Sequence, residues 1–231
     1  MAIRGLLFDK DGTLFDFRAT WGGWTRAVID DLSGGDAARA HAVAGALGFD
    51  TATGVFQPDS PVIAHTVAEI ASDLLPHLPG ESLEPLVERL NGHAMVSRMV
   101  PAVELKPLFA RFQAMGLKIG LATNDAEAPA RAHLAQAGIS DAFDFIAGFD
   151  SGWGGKPEDG QMRAFLAKTG LRPAEAAMVG DSLHDLDAGR AAGMRTVAVL
   201  TGIAPRDRLA PHADVVLDTI DGLPDWVSAQ G

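Results

Sequence analysis

The chain has 231 residues, of which 47% are hydrophobic and 21% are charged, a composition typical of a globular protein with a sizeable core. The formal net charge of −11 argues against non-specific binding to nucleic acid or to an anionic membrane, because both are themselves negatively charged. The absence of cysteine excludes disulfides, thiolate metal sites and thiol nucleophiles. Because no segment is long and apolar enough for a signal peptide or a membrane span, we expect a cytoplasmic protein.

The first predicted element is a buried strand from Ile3 to Phe8, and the next strand-like run, Leu117 to Thr123, comes about a hundred residues later. The sequence between them is rich in Ala and Leu, with apolar residues spaced three and four apart, which is typical of helices. The predicted helices there are WTRAVIDDL, DAARAHAVAGAL, VIAHTVAEIASDLL and LEPLVERLNGHAMV. We interpret residues 16–99 as an all-helical cap inserted into the rest of the chain.

After Pro107 the predicted helices and strands alternate, which indicates a parallel sheet with helices on both faces. The predicted strands are KIGLA, FDFIAG, AAMVG, RTVAVL and ADVVL, and the helices are LFARFQAM, AEAPARAHLAQAG, GQMRAFLAKTG and DLDAGRAAG. Glycine stands where helices are expected to end, at Gly116, Gly138, Gly170 and Gly193. We therefore predict an α/β fold, with a Rossmann-like core formed by residues 1–15 and 100–231.

Polar residues follow three of the predicted strands at their carboxyl ends. Asp9 and Asp11 follow the first strand, Thr123 and Asn124 follow the second, and Asp181 follows AAMVG. The carboxyl ends of parallel strands line the ligand crevice of an open sheet, so we expect these residues to converge. A cluster of carboxylates without cysteine favours a hard divalent cation, and Mg²⁺ fits best.

The residues around Asp9 help to decide which kind of site the two aspartates form. Asp9 and Asp11 can point the same way from an extended chain, whereas we expect Lys10 to face away from the chemistry. A calcium-binding loop is excluded, because aligning the two aspartates to its pattern places Arg18 where a carboxylate is required. Taken singly, each motif has an ordinary interpretation as a turn, a helix cap or a loop. Their joint occurrence at strand-to-helix junctions favours a functional site.

Four motifs in this order resemble those of the haloacid dehalogenase superfamily, particularly its phosphoglycolate-phosphatase-like members with a helical cap. The motifs are DKDGTL at Asp9 to Leu14, Thr123 in LATND, Lys156 in GGKPEDG, and GDSLHD at Gly180 to Asp185. Two positions depart from the family pattern: Lys10 replaces an apolar residue, and KPED lacks a second proline.

The resemblance implies a role for each matched acid. Asp9 is expected to be the nucleophile that forms an aspartyl-phosphate, and Asp11 the group that protonates the leaving oxygen and then activates water. Asp9, Asp181 and the backbone carbonyl of Asp11 are expected to bind Mg²⁺. Asp185 is expected in the second coordination sphere or paired to Lys156.

The remaining matched residues are expected to bind phosphate. By the same resemblance, Thr123, Gly12 and the backbone N–H groups near Asn124 would hold the phosphoryl oxygens. Lys156 would neutralise negative charge on the phosphoryl group and on Asp9, and would take part in catalysis with Thr123. These residues complete the requirements of phosphoryl transfer, which needs cations and donors for the equatorial oxygens.

The resemblance implies a Mg²⁺-dependent phosphatase of a small phosphorylated metabolite, phosphoglycolate-like or sugar-phosphate-like. A phosphonate hydrolase of this family needs a cap lysine, and the sequence has none between Lys10 and Lys106. A sugar phosphomutase stays open as an alternative, and so does a non-catalytic protein that binds a phosphorylated ligand. The oligomeric state is left open.

Two features of the cap have two interpretations each. The stretch GFDTATGVFQPDSP, at 48–61, is either a substrate-specificity loop or an ordinary helix connection. Trp21 and Trp24 either line the active-site crevice or pack in the hinge.

Overall fold

The structure is a computed structural model that describes residues 2–57, 59–63 and 65–231. The chain divides into two compact units. Met1–Phe17 and Met99–Gly231 form the first, here called the core unit, and Arg18–Arg98 form the second, here called the cap unit.

Strands and helices are numbered here in chain order. The strands are β1 (Gly5–Phe8), β2 (Phe49–Asp50), β3 (Val55–Phe56), β4 (Lys118–Ala122), β5 (Phe145–Ala147), β6 (Ala176–Gly180), β7 (Arg195–Val199) and β8 (Val215–Leu217). The helices are α1 (Phe17–Ser33), α2 (Ala37–Ala46), α3 (Val67–Leu74), α4 (Leu83–Val96), α5 (Leu105–Ala114), α6 (Glu127–Ala137), α7 (Gly160–Thr169), α8 (Leu183–Ala191), α9 (Arg206–Leu209) and α10 (Leu223–Ser228).

Within the described residues, the core unit contains a six-stranded sheet in the order β5-β4-β1-β6-β7-β8. Every neighbouring pair is parallel, which confirms the predicted Rossmann-like sheet. β1 lies between β4 and β6, and Phe8 at its end is in register with Leu121 and Val179. The residues that follow these three strands therefore leave the sheet at the same edge, where ligands bind in open parallel sheets.

Helices pack on both faces of the sheet, as predicted. Leu6 and Phe8 belong to a buried cluster that includes residues of α5, α6 and α10, whereas Leu7 belongs to a second cluster with residues of α7 and α8. This division follows from the alternation of side chains along β1. The Phe8 ring lies 5.5 Å from that of Phe109 on α5, so the central strand is anchored directly below the residues that follow it.

The cap unit is mainly helical and also contains a short antiparallel hairpin of β2 and β3, which was not predicted from the sequence. The rings of Phe49 and Phe56 lie 4.9 Å apart across the hairpin. The Asp50 carboxylate accepts hydrogen bonds from the backbone N–H groups of Ala52 and Thr53, a local contact that stabilises the turn. Pro58, in the same stretch, lies outside the described residues.

The other cap predictions differ from the structure in detail. The predicted helix VIAHTVAEIASDLL begins only at Val67, because Thr66 and Glu69 form a capping box there, and Ala64 lies outside the described residues. Trp24 is buried, and its indole N–H donates to the Leu90 carbonyl oxygen within the cap unit. Among the described residues, no helix has the length and apolar character needed to cross a membrane.

Candidate active site

The turn after β1 brings the first two aspartates to the edge of the sheet. The backbone N–H of Asp9 still bonds to the Val179 carbonyl oxygen of β6, at 2.8 Å. The chain then turns at Gly12, whose φ of +83° is unfavourable for other residues. A Cβ at Gly12 would also overlap the Asp181 carboxylate. Gly12, predicted as a phosphate-binding residue, thus lets the turn approach Asp181 closely.

Lys156 lies between two carboxylates in the centre of the site. Its Nζ is 2.5 Å from Asp9 Oδ1 and 2.6 Å from Asp185 Oδ1, and all three side chains are buried. The second oxygen of Asp185 accepts hydrogen bonds from the backbone N–H and hydroxyl of Ser182, at 3.0 and 2.7 Å. Asp185 is therefore fixed on both sides, and the ammonium group is held against Asp9.

A third buried carboxylate, that of Asp181, completes an acidic cluster. Asp9, Asp181 and Asp185 offer oxygen atoms that all lie within 4.8 Å of one another. Lys156 supplies one positive charge against three carboxylates, so the cluster has room for a divalent cation, and oxygen ligands of this kind suit Mg²⁺. Asp11 contributes no carboxylate oxygen to this cluster.

The electrostatics of the cluster reflect this shortage of positive charge. Burial raises the pKa of Asp9 from its usual 3.8 to about 7, although Lys156 lowers it in part. Burial also raises the pKa of Asp181 well above its ordinary value, and the neighbouring Asp9 raises it further. Burial lowers the pKa of Lys156, but Asp185 and Asp9 more than offset this and hold the pKa above its usual range. In the absence of a further cation, Lys156 is therefore charged, and the raised pKa values of Asp9 and Asp181 favour their protonated forms.

The loop after β4 is tied to the loop that carries Lys156. The Asn124 side chain donates to the Lys156 carbonyl oxygen at 2.9 Å and accepts from the Lys156 backbone N–H at 2.7 Å. The Thr123 hydroxyl accepts from the backbone N–H of Asp125 at 3.1 Å. Gln161, which is buried on α7, donates to the Thr123 carbonyl oxygen at 3.1 Å. Asn124 therefore positions the lysine loop with its side chain.

The prediction that Lys10 faces away from the chemistry is wrong. Its side chain is fully buried, and Nζ lies 2.6 Å from Asp11 Oδ2, 3.2 Å from Asp125 Oδ2 and 3.1 Å from His133 Nδ1. Burial lowers the pKa of Lys10, but Asp11 and Asp125 raise it above its ordinary value, so this lysine is charged. The alternation expected of an extended chain does not reveal these contacts, because the long side chain of Lys10 reaches Asp11 and His133 of α6.

Several residues of the site were not predicted. Ser182 could have been found, because Ser182 and Asp185 have the spacing of a helix capping box. Two more such residues, Thr201 and Gly202, follow β7. The Thr201 hydroxyl donates to the Gly12 carbonyl oxygen at 2.6 Å, and a Cβ at Gly202 would overlap the Asp181 carboxylate. Their contacts span long sequence separations, so no local pattern marks them.

Comparison with known proteins shows similarity along most of the chain. The family model for haloacid dehalogenase-like hydrolases matches residues 3–193. A phosphoglycolate phosphatase of Yersinia pestis is 31% identical over 229 residues, which is 94% of this chain and 89% of that protein. One from Rhodospirillum rubrum is 33% identical over 120 residues, about half of each protein (52% and 50%). The crystal structure of CbbY from Rhodobacter sphaeroides in complex with phosphate has the same fold, with a TM-score of 0.70, 22% identity and 96% of both chains covered.

Proposed function

This chain belongs to the haloacid dehalogenase-like hydrolases, and we propose that it hydrolyses its substrate with Asp9 as the nucleophile and with Mg²⁺ as cofactor. It is a phosphoric monoester hydrolase that acts on small phosphorylated substrates. One observation carries the residue assignment: Lys156 and the buried cluster of Asp9, Asp181 and Asp185 lie where the loops after β1 and β6 meet.

The proposed reaction has two steps. In the first, a carboxylate oxygen of Asp9 bonds to phosphorus as the bond to the leaving oxygen breaks, and Asp11 gives that oxygen a proton. In the second, water attacks the aspartyl-phosphate and gives a proton to Asp11, which regenerates Asp9 and releases inorganic phosphate. Lys156 offsets negative charge on Asp9 and on the phosphoryl group in both steps.

The remaining assignments concern binding. Asp9, Asp181 and the backbone carbonyl of Asp11 would hold Mg²⁺, which when bound supplies positive charge to the phosphoryl oxygens. Asp185 would act from outside this set by holding Lys156. Thr123, Gly12 and the backbone N–H groups near Asn124 would bind the phosphoryl oxygens, and the carboxyl edge of the sheet is a suitable place for such donors.

The substrate we favour is phosphoglycolate or a sugar phosphate. The relative from Yersinia pestis, which is similar along nearly its full length, is a phosphoglycolate phosphatase. Substrates of this size present one phosphate group and a small polar remainder, and the buried Lys156 beside Asp9 can offset the charge of one phosphate group.

Phosphate release from a panel of esters tests this proposal. We expect release from 2-phosphoglycolate, a hexose 6-phosphate or a nucleoside monophosphate in the presence of Mg²⁺, and none in excess EDTA. Isomerised sugar phosphate in place of free phosphate would indicate a mutase. Binding of inorganic phosphate without turnover of any ester would indicate a non-catalytic binding protein.

Gly202→Ala is expected to weaken the response to Mg²⁺. The added Cβ would overlap the Asp181 carboxylate and displace it. Displacing a metal ligand in this indirect way is expected to raise the Mg²⁺ concentration for half-maximal activity by about 10- to 100-fold. Titration of Mg²⁺ in the activity assay and by calorimetry measures the effect.

Gly22→Ala is the matched control, because among the described residues a Cβ at Gly22 meets no atom within 4 Å beyond its chain neighbours and the backbone of its own helix. The two variants make the same chemical change, and only Gly202 borders the acidic cluster. Equal Mg²⁺ responses for Gly202→Ala and the wild type would remove Asp181 from the proposed metal site.

A further inference from the structure

The buried Lys10 is not used by the mechanism above, although its ammonium group contacts the proposed proton donor. Nζ lies 2.6 Å from Asp11 Oδ2, and no part of the lysine side chain is exposed. Burying a charge is costly, so a buried lysine is retained only where its partners compensate. Asp11 and Asp125 supply that compensation.

Lys10 joins two loops of the site. Asp125 lies in the loop after β4, where its Oδ1 accepts the backbone N–H of Ala126 at 2.9 Å and its own backbone N–H donates to the Thr123 hydroxyl. The other oxygen, Oδ2, lies 3.2 Å from Lys10 Nζ. The ammonium group therefore connects Asp11, which follows β1, to the loop that carries Thr123.

A third contact fixes the direction of the lysine. His133 on α6 is fully buried, and its Nδ1 lies 3.1 Å from Lys10 Nζ. An ammonium group can only donate, so Nδ1 accepts and the ring proton is on Nε2. Asp11, Asp125 and His133 are thus all in contact with the ammonium group of Lys10.

The Asp11 carboxyl group is held by one oxygen only. Lys10 contacts Oδ2, whereas Oδ1 is buried and has no hydrogen-bond partner in the part of the chain that the structure describes. A proton donor must be held in one orientation to act efficiently, and an anchored Oδ2 leaves Oδ1 for the transfer.

We propose that Lys10 is a positioning residue, which orients the Asp11 carboxyl group for proton transfer to the leaving oxygen. Through Asp125, it also holds Asp11 close to the loop that carries Thr123. The proposal rests on the role of Asp11 in the proposed function. Lys10 touches neither the substrate nor the nucleophile in this assignment, so its effect on the reaction passes through Asp11.

The test compares two esters that differ in their need for a proton. A p-nitrophenolate leaving group departs without protonation, whereas an alkoxide leaving group requires it. For Lys10→Met we expect kcat/KM to fall by about 10- to 100-fold with an alkyl phosphate, part of the factor of about 10² to 10⁴ that general acid catalysis supplies. With p-nitrophenyl phosphate we expect less than about a threefold change, since the protonation step that supplies this factor is not needed.

Two further variants guard against a folding defect. Lys10→Met removes the ammonium group from two partly buried carboxylates, those of Asp11 and Asp125, and lowers stability, whereas Lys10→Met with Asp125→Asn removes one charge of each sign. We expect the double variant to fold and to show the same difference between the esters. Lys10→Arg, which restores the charge, is expected to recover part of the alkyl phosphate activity.

Each outcome decides the proposal. A larger loss with the alkyl phosphate in either Lys10→Met variant supports it, and equal losses with both esters, or none, would overturn it. In an Asp11→Asn background, Lys10→Met should produce no additional difference between the esters. A wild-type protein inactive on both esters would instead contradict the proposed function, so the two failures are distinguishable.

Discussion

Asp9→Asn is expected to abolish phosphate release while the protein stays folded. The amide lacks the nucleophilic oxygen that attacks phosphorus, and loss of a nucleophile typically costs a factor of about 10⁴ or more in kcat. The change also removes a buried carboxylate from a cluster with three acids and one lysine. The measurement is phosphate release with Mg²⁺ from the preferred ester, with circular dichroism to monitor folding.

Asp207→Asn is the matched control for this experiment, since Asp207 is an exposed residue of α9 and the chemical change is identical. We expect wild-type activity from it. Retained turnover in Asp9→Asn would show that another group attacks phosphorus, and the aspartyl-phosphate assignment would then be withdrawn.

The same substitution is expected to alter the pH dependence of stability. With Mg²⁺ chelated, the folded protein keeps a proton on Asp9 from pH 3.8 up to about 7, whereas the unfolded chain has released it. The free energy of unfolding of the wild type therefore falls as the pH rises through this window, on the order of a few kcal/mol from this group. Urea unfolding at pH 5 and pH 7 should show a smaller decline for Asp9→Asn, and an unchanged decline would mean that Asp9 is ionised throughout.

The central fold was predictable because its elements have strong local patterns. AAMVG was predicted as a strand and forms β6 over the same residues, Ala176–Gly180, because a short apolar run between breakers has few alternatives. Helix α4 likewise coincides with LEPLVERLNGHAMV. Gly138 and Gly170 end α6 and α7 in the left-handed conformation that was expected of them. The short helices α9 and α10 have too few turns to show a periodicity, and they were not predicted.

Features that depend on distant partners were not predictable. The β2–β3 hairpin has two-residue strands held by the contact between Phe49 and Phe56, and strands this short carry no alternation. Lys10 illustrates the same limit for the site: alternation predicted its direction from the strand, but its partners Asp125 and His133 come from a loop and a helix more than a hundred residues away. By contrast, the acids at the strand ends follow from topology, because parallel strands place their carboxyl ends together.

Lys156→Met is expected to lower both activity and stability. The substitution removes the Lys156 ammonium group, which contacts both Asp9 and Asp185, and leaving a buried charge unpaired typically costs about 3 to 5 kcal/mol. Loss of this positive charge from the reacting phosphoryl group is expected to reduce kcat by about 10²- to 10³-fold. Urea unfolding at pH 8 and phosphate release with Mg²⁺ measure the two effects. Lys168→Met, which changes an exposed lysine of α7, should affect neither.

A second substitution separates the two roles of Lys156. Lys156→Met combined with Asp185→Asn removes one charge of each sign, so we expect most of the lost stability to return. Activity should stay low, because the phosphoryl group still lacks its cation. Recovery of activity together with stability would show that Lys156 serves only to neutralise Asp185. Stability unchanged in Lys156→Met would contradict the buried network of Asp9, Lys156 and Asp185, because removing the ammonium group from between two buried carboxylates is destabilising.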